Sequence, residues 1–358
     1  MMAAPARQRK GTGTDKLMPM NAHDRAAARL DFIHRHLPSG KPGAAPASAD
    51  ASFRSYWRVR AGDASWIVMD APPDREPIAP WLDIGARLRV AGLHAPEVFA
   101  SDAQHGFVLM EDLGDRSYLP ELSDASADAL YADALAALAR MQVIDTAGLP
   151  IYDRAQLVTE LELMPEWFLK RHLDFVPSRE EWDLIEATFT HLVWAAREQP
   201  QCFVHRDYHS RNLMIATDNN PAVIDFQGAM LGPLTYDLAS LLRDGYIAWP
   251  DARVEHWVES YRQHVAANID AATFRRWFDL IGLQRHIKVL GIFCRLFYRD
   301  GKAGYLRDLP RVLAYVLDIA RRYPPLLEFA TLIERAVGTR DVQVPSSGSR
   351  VPTTPCAH

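Results

Sequence analysis

The pattern of apolar residues changes along this chain, and that change limits the architectures that it can adopt. Aromatic and β-branched residues fill 55–60 and 65–70, and the polar turn between them predicts a β-hairpin. Two shorter strands are predicted at 96–100 and 106–111. From about Ser123 onward the apolar residues recur at helical spacing instead. The chain is therefore predicted to be α+β, with a small strand-rich N-terminal lobe and a larger, mainly helical C-terminal lobe.

The predicted lobes span 21–114 and 115–339. The segments 1–20 and 340–358 have no apolar periodicity and are predicted to be disordered tails. Gly, Pro, Ala and Ser dominate 38–50, which is predicted to be a connector.

Composition excludes several classes of protein. With 40 Lys plus Arg against 45 Asp plus Glu, the net charge of −5 argues against a protein that coats nucleic acid. No run of about 18 apolar residues occurs and no export signal is visible, so no membrane partner is expected. Three cysteines without metal-ligand spacing favour a reducing compartment, and a cytoplasmic location is expected. Nothing in the sequence indicates the oligomeric state.

Candidate catalytic residues lie between 202 and 226, where the helical pattern stops. His205-Arg206-Asp207 with Asn212 has the spacing of the H-R-D-x-x-x-x-N catalytic loop of protein kinases, and Asp225 follows the next apolar run. Phosphoryl transfer from ATP needs a carboxylate beside the attacking hydroxyl and oxygen ligands for Mg²⁺. Asp207 is predicted to be the catalytic carboxylate, and Asn212 and Asp225 the metal ligands.

The same stretch allows a second interpretation. His205, Asp207 and His209 form H-x-D-x-H, and imidazole with carboxylate also binds Zn²⁺ in metallohydrolases. The rest of such a ligand set is missing from the sequence, so the kinase-like interpretation is preferred.

With these residues the chain resembles the aminoglycoside phosphotransferase and choline kinase-like family, whose loop typically reads H-G-D-x-H-x-x-N. Arg206 stands where that family usually has Gly. The resemblance extends over about 52–323 and implies a two-lobed, protein-kinase-like fold that uses ATP and Mg²⁺. It implies that Asp237 braces the catalytic loop, and His205 is expected to do the same. It further implies that a linker between the lobes meets the nucleotide through Met110, Glu111 and Leu113.

Longer strings resemble one branch of that family, the anomeric amino-sugar kinases, which phosphorylate C1 of N-acetylmuramate and N-acetylglucosamine in cell-wall recycling. The strings are Ile67-Val-Met-Asp-Ala-Pro-Pro73, Met110-Glu-Asp-Leu-Gly114, Pro165-Glu-Trp-Phe168, Thr235-Tyr-Asp-Leu238 and Gly282-Leu-Gln-Arg-His286. This likeness implies a small-molecule amino-sugar substrate and a sugar 1-phosphate product. His209, Arg211, Arg285 and His286 are the candidate substrate-binding residues.

One feature departs from the kinase pattern. The strand at 65–70 lacks the Lys that holds the ATP phosphates, and no glycine-rich loop precedes it. Arg54, Arg58 and Arg60 are candidate substitutes.

The predicted helix at 271–299 carries four basic residues on one narrow face: Arg285, Lys288, Arg295 and Arg299. The preferred interpretation is a solvated face paired with acids. The alternative is a wall that recognises the lactyl carboxylate of N-acetylmuramate, with Arg285 as the main contact. Asp244, Asp300 and Asp308 are predicted to be helix caps or solvated charges.

Three other functions stay open at this point. An aminoglycoside kinase would need an acidic acceptor pocket, and a choline-type kinase would need an aromatic cage. A non-catalytic nucleotide-binding regulator would be consistent with the missing Lys and glycine loop.

Overall fold

The computed structural model describes residues 20–37, 42–49 and 53–345. Of the predicted tails, 1–19 and 346–358 lie outside these ranges. The prediction of a disordered tail is wrong for 340–345, because Val342 is buried there and its carbonyl oxygen lies 2.7 Å from Nε2 of His172.

The chain divides into two compact units. The first comprises Met1–Ala79 and Glu97–Asp112, and the second comprises Pro80–Pro96 and Leu113–His358. The segment 80–96 thus belongs to the second unit, although the sequence analysis placed it in the first lobe. The reason is packing, since the Trp81 ring lies 5.1 Å from the ring of Phe226 in the second unit.

The first unit is an antiparallel sheet with one helix packed against it. Its elements are α1 (Ala22–His36), β1 (Ala44–Ala49), β2 (Ser55–Ala61), β3 (Ala64–Asp70), β4 (Val98–Asp102) and β5 (Phe107–Glu111). The strand order is β1-β2-β3-β5-β4, and β2 and β3 form the predicted hairpin. Phe32 and Ile33 of α1 pack on Val68 and Leu109 of the sheet. At the end of β3, Asp70 accepts hydrogen bonds from two arginines of α1, which fixes the helix on the sheet.

The prediction of a connector at 38–50 is wrong for 44–49, because β1 pairs there with β2. Ala, Pro and Ser have low strand propensity, so the strand depends on this pairing and not on its own composition. β1 lies at the sheet edge, where a proline that cannot donate a hydrogen bond is tolerated, and the register shifts between Pro46 and Ser48.

The second unit is mainly helical. Its helices are α2 (Ala79–Val90), α3 (Tyr118–Glu121), α4 (Ala127–Met141), α5 (Arg154–Leu161), α6 (Arg179–Arg197), α7 (Tyr236–Leu242), α8 (Asp251–Val265), α9 (Ala271–Tyr298), α10 (Leu309–Arg322) and α11 (Leu327–Val337). Met164–His172 is π-helical, and Ala303–Asp308 and Pro324–Leu326 are 3₁₀ turns. The strands β6 (Gln201–Val204) and β9 (Met230–Pro233) form one two-stranded sheet, and β7 (Leu213–Met214) and β8 (Ala222–Val223) form another.

Helix α9 forms the centre of this unit and packs on α6, α7, α10 and the π-helical segment. Gly291 allows the last of these contacts, since a Cβ at this position would lie 2.4 Å from the carbonyl carbon of Leu163. Helix α6 begins with a capping box, which the spacing of Ser178 and Glu181 predicts and in which each side chain bonds the backbone N–H of the other residue. Within the described part of the chain, no helix combines the length and apolar character that a membrane crossing requires.

Candidate active site

The loop after β6 has a backbone conformation that is rare for residues with a side chain. Arg206 has a φ of 78°, in the left-handed region that favours glycine. Asp237, in the first turn of α7, accepts hydrogen bonds from the backbone N–H groups of His205 at 2.6 Å and of Arg206 at 2.9 Å. Burial raises the pKa of Asp237 to about 7 even though these two donors favour its charged form. These two hydrogen bonds offset the strain at Arg206, and the bracing role of Asp237 in catalysis stays a prediction.

His205 links this loop to the strand that precedes Asp225. Its Nε2 lies 3.1 Å from the carbonyl oxygen of Ile224, and its Nδ1 lies 3.2 Å from the backbone nitrogen of Asp207. Because Asp207 N–H must donate to Nδ1, the ring is neutral and carries its proton on Nε2. Burial lowers the pKa of His205 to about 4, in agreement with that state. Both ring nitrogens are therefore engaged within the protein.

The second half of the loop is held by Asp244, which the sequence analysis assigned to caps or solvated charges. That assignment is wrong, because Asp244 is buried. Its carboxylate accepts hydrogen bonds from the backbone N–H and hydroxyl of Ser210 at 2.9 and 2.5 Å, and from the backbone N–H of Tyr246 at 2.9 Å. No local sequence signal marks this role, since Asp244 lies 34 residues from Ser210.

The carboxylate of Asp207 is accessible and strongly acidic. Its side chain is 47% exposed, and one oxygen lies 4.0 Å from a guanidinium nitrogen of Arg285. Partial burial disfavours the charged form, but the positive charges of Lys288 and Arg285 outweigh it and lower the pKa of Asp207 to about 2. Asp207 is thus ionised at neutral pH and can accept a hydrogen bond from a hydroxyl group.

Asn212 and Asp225 lie side by side. The Asn212 amide nitrogen donates to the carbonyl oxygen of Asp207 at 2.9 Å and lies 3.5 Å from a carboxylate oxygen of Asp225. The other Asp225 oxygen accepts a hydrogen bond from Gln227 at 2.7 Å. An amide oxygen and a carboxylate are hard donors of the kind that Mg²⁺ prefers, and Mg²⁺ usually keeps several waters, so these two residues fit a magnesium site.

A charged cluster, formed by Glu160, Arg206, Lys288 and Tyr236, adjoins the catalytic loop. Glu160 is buried and pairs with Arg206 and, at 3.0 Å, with Lys288. Although burial opposes ionisation, these two cations lower the pKa of Glu160. Lys288 also donates to the hydroxyl of Tyr236 at 3.2 Å. No local sequence motif marks Glu160, which lies 46 residues before Arg206.

The basic face of α9 is therefore divided between two environments. Arg285 and Lys288 are buried, and Arg285 donates to the carbonyl oxygen of Arg206 at 2.9 Å. Arg299 is exposed and pairs with Asp300 at 2.7 Å. The preferred prediction of a solvated face paired with acids is correct for Arg299. For Arg285 and Lys288 it is wrong about solvation, because both are buried, although Lys288 does pair with an acid, Glu160.

The remaining candidate substrate residues differ in their surroundings. The Arg211 guanidinium lies over the Tyr246 ring at 3.6 Å, and the His209 ring meets the same ring edge-on at 5.4 Å. His286 is buried; its Nε2 lies 2.8 Å from the carbonyl oxygen of Arg243, and its ring stacks on Tyr315 at 4.7 Å. These contacts of His286 indicate helix packing.

The candidate nucleotide residues belong to different units. Met110 and Glu111 are the last two residues of β5 in the first unit. Leu113 is the first residue of the longer of the two segments that make up the second unit. Arg58 forms a two-pronged ion pair with Asp112 at 2.7 and 2.9 Å.

The other two candidate cations of the first unit are Arg54 and Arg60. Arg54 is buried and pairs with Glu76 at 3.1 Å, and Arg60 is exposed.

The zinc-site alternative finds no support in this geometry. In 20–37, 42–49 and 53–345 no group of three or more His, Cys, Asp or Glu side chains is placed to hold a metal ion. His205 in particular directs both ring nitrogens to backbone groups.

Comparison with known proteins agrees with this site. Residues 43–277 match the model of the phosphotransferase enzyme family. An N-acetylmuramate/N-acetylglucosamine kinase of Pseudomonas aeruginosa is 44% identical over 80% of this chain and 87% of its own length. A kinase of the same name from Neisseria meningitidis is 37% identical over 83% of this chain and 91% of its own length.

Solved structures support the predicted fold. An ethanolamine kinase of Plasmodium vivax superposes with a TM-score of 0.61 at 12% identity, over 86% of this chain and 93% of its own. An ADP-bound aminoglycoside phosphotransferase superposes with a TM-score of 0.54 at 16% identity, over 82% of this chain and 98% of its own. The two-lobed, protein-kinase-like α+β fold is thereby confirmed. Together with the family match over 43–277 and the relatives above 30% identity, this establishes that the chain belongs to the phosphotransferase enzyme family.

Proposed function

We propose that the protein is an ATP-dependent kinase that phosphorylates the anomeric hydroxyl of N-acetylmuramate and N-acetylglucosamine and releases the sugar 1-phosphate. One observation carries the proposal: an ionised, 47% exposed Asp207 in a braced loop, with Asn212 and Asp225 beside it. The choice of sugar rests on the names of the relatives that are 37–44% identical. The cytoplasmic location expected from the sequence stays a prediction.

Asp207 would act chiefly by orienting the acceptor. Its low pKa makes it a weak base, but phosphoryl transfer passes through a loose transition state that needs little proton removal before the attack. A hydrogen bond from the hydroxyl to Asp207 aligns the oxygen, and the carboxylate takes the proton as the new bond forms. An anomeric hydroxyl suits such a base because the ring oxygen makes it more acidic than other sugar hydroxyls.

Positive charge around Asp207 would serve the phosphoryl group. Asn212 and Asp225 would hold Mg²⁺, which neutralises phosphate charge when it is bound. The positive charges of Arg285 and Lys288, which act on Asp207, would favour a phosphoryl group at this position.

Arg54 is the best candidate among the arginines of the first unit to replace the missing strand Lys. Its ion pair with Glu76 resembles the Lys–Glu pair of protein kinases. Arg58 is less suited, because both prongs of its guanidinium are bound to Asp112.

Two alternative acceptors fit this structure less well. A quaternary ammonium would need an aromatic cage, and the cluster of Tyr131, Trp249 and Trp257 is filled by the chain's own Arg253, about 5 Å from both tryptophan rings. An aminoglycoside is a polycation, and the positive charges of Arg285 and Lys288, which act on Asp207, disfavour it. A purely regulatory role would not require Asp207, Asn212 and Asp225 to be retained together.

The test is an ATP-consumption assay with the purified protein over N-acetylmuramate, N-acetylglucosamine, kanamycin and choline, with phosphorus NMR to locate the phosphate. We expect turnover of the two acetylated sugars and a phosphate on C1. Asp207→Asn should lower kcat about 10³-fold with ATP binding retained, whereas Asp300→Asn at the surface should not. Turnover of kanamycin or choline alone, or a fully active Asp207→Asn protein, would refute the proposal.

A further inference from the structure

Arg211 differs from the other cations of the catalytic loop and its surroundings. Arg206 and Lys288 pair with Glu160, and Arg285 donates to a backbone carbonyl. The Arg211 side chain makes no hydrogen bond or ion pair with any residue that the structure describes. Its guanidinium is held instead by stacking on the Tyr246 ring at 3.6 Å.

The platform beneath Arg211 is rigid. Asp244 binds the backbone and hydroxyl of Ser210, directly before Arg211, and also the backbone N–H of Tyr246. One buried carboxylate therefore binds both the residue that precedes Arg211 in the loop and the backbone of the residue on whose ring Arg211 stacks. Phe293 supports Tyr246 from the neighbouring helix α9, with ring centroids 6.0 Å apart.

A second unsatisfied polar group lies against the same ring. The Nδ1 atom of His209 is buried and has no hydrogen-bond partner among the described residues, and its ring meets Tyr246 at 5.4 Å. An unpaired buried polar atom calls for an explanation, and a bound ligand that supplies the missing partner is one. His209 and Arg211 both lie within four residues of Asp207 in the same loop.

We propose that Arg211, stacked on Tyr246, binds the carboxylate of an acidic sugar acceptor and so sets the preference for N-acetylmuramate over N-acetylglucosamine. A guanidinium whose plane is fixed by stacking keeps its N–H groups directed outward along its edge, where a carboxylate accepts two parallel hydrogen bonds. N-acetylmuramate carries such a carboxylate on its lactyl group, and N-acetylglucosamine does not. This inference rests on the proposed function, and it replaces Arg285 by Arg211 as the residue that recognises the carboxylate.

The experiment compares the wild-type protein and three variants with three acceptors: N-acetylmuramate, its lactyl methyl ester and N-acetylglucosamine. In the wild-type protein, we expect the ester to lose at least 10-fold in kcat/KM relative to the acid. In Arg211→Gln, the ratio of kcat/KM for N-acetylmuramate to that for N-acetylglucosamine should fall 10-fold to 100-fold, and acid and ester should become equivalent. Arg211→Lys should recover part of the ratio, since it keeps the charge and loses the two-pronged geometry.

Arg253→Gln is the matched control, because Arg253 also lies over aromatic rings but already pairs with Asp124 and Asp128. It should change the ratio by less than twofold. A ratio unchanged in Arg211→Gln, or an ester used as well as the acid by the wild-type protein, overturns this inference alone. A wild-type protein that phosphorylates neither sugar overturns the proposed function and, with it, this inference.

Discussion

Replacing His286 by Gln should flatten the dependence of stability on pH. The ring is buried, and burial lowers its pKa from the ordinary value of 6.5 to about 3. Since the folded pKa lies below the unfolded one, only the unfolded chain binds this proton between about pH 4 and 6. His286 therefore contributes stability that is complete above pH 6.5 and is lost as the pH falls toward 3. The linkage is about 1.4 kcal/mol per pH unit within that window.

Glutamine is the suitable replacement because its amide can still donate to the carbonyl oxygen of Arg243, as the His286 ring does. Urea unfolding followed by tryptophan fluorescence at several pH values from 4.5 to 7 should show a slope that is about 1.4 kcal/mol per pH unit smaller in the variant. His205 and Asp237 also titrate in this range, but they are common to both proteins and cancel in the difference. His264→Gln is the control, since that ring is exposed on α8 in the folded protein.

The same proteins decide whether His286 binds substrate, as the sequence suggested. Packing inside the helical unit predicts a changed slope and a KM for the sugar within about threefold of wild type. An unchanged slope together with a KM raised 10-fold or more would show that the ring faces the acceptor, and the reasoning from burial would be refuted.

Three further substitutions test the packing of the second unit. Gly291→Ala should lower the free energy of unfolding by about 2–3 kcal/mol, because the new Cβ would clash with the backbone of Leu163. A Cβ at Gly304 meets no atom of the described residues within 4 Å, so Gly304→Ala should change the free energy of unfolding by less than about 0.5 kcal/mol. Equal effects of the two substitutions in urea titrations would contradict the clash. Asp237→Asn should leave one backbone N–H of the loop without an acceptor, which costs about 1–3 kcal/mol of stability. The substitution should lower kcat and change KM by a smaller factor. A variant with the kcat of the wild-type protein would argue against the bracing role. Lys288→Met should lower the free energy of unfolding by about 3 kcal/mol, because the buried carboxylate of Glu160 loses a partner. Arg299→Met at the surface should lower it by less than about 0.5 kcal/mol. If thermal or urea unfolding gave the same loss for both variants, the distinction between a buried and a solvated part of this helix face would be wrong.

Features that depend on neighbouring residues were predictable from the sequence. The hairpin at 55–70 follows from alternating β-branched and aromatic residues around a tight turn, and the start of α6 follows from a Ser and a Glu three positions apart. The spacing of Asp207 and Asn212 likewise determines that both lie in one loop. In each case the partners are so close in the chain that their contact hardly depends on the rest of the fold.

Supports that come from distant residues were not predictable in this way. Asp244 binds Ser210 of the catalytic loop from 34 residues further along the chain, and Glu160 binds Arg206 of the same loop from 46 residues before it. An isolated acidic residue in a helical region has the same local appearance whether it is a cap, a solvated charge or a buried acceptor. Only the packing of α5 and α7 against α9 distinguishes these cases.

The basic face of α9 shows why periodicity alone cannot separate a functional charge from a solvated one. Arg285 and Lys288 share an angular position with Arg299, yet the first two are buried beside Asp207 and Glu160 and the third lies in solvent. Helical spacing gives the angle about the axis, but burial also depends on the position along it, because the elements that cover the helix change from one end to the other. Burial of a cation is tolerated only where a carboxylate or carbonyl compensates it. A cationic face on a long central helix therefore indicates a functional site only over the part that faces such acceptors, and here that part ends between Lys288 and Arg299.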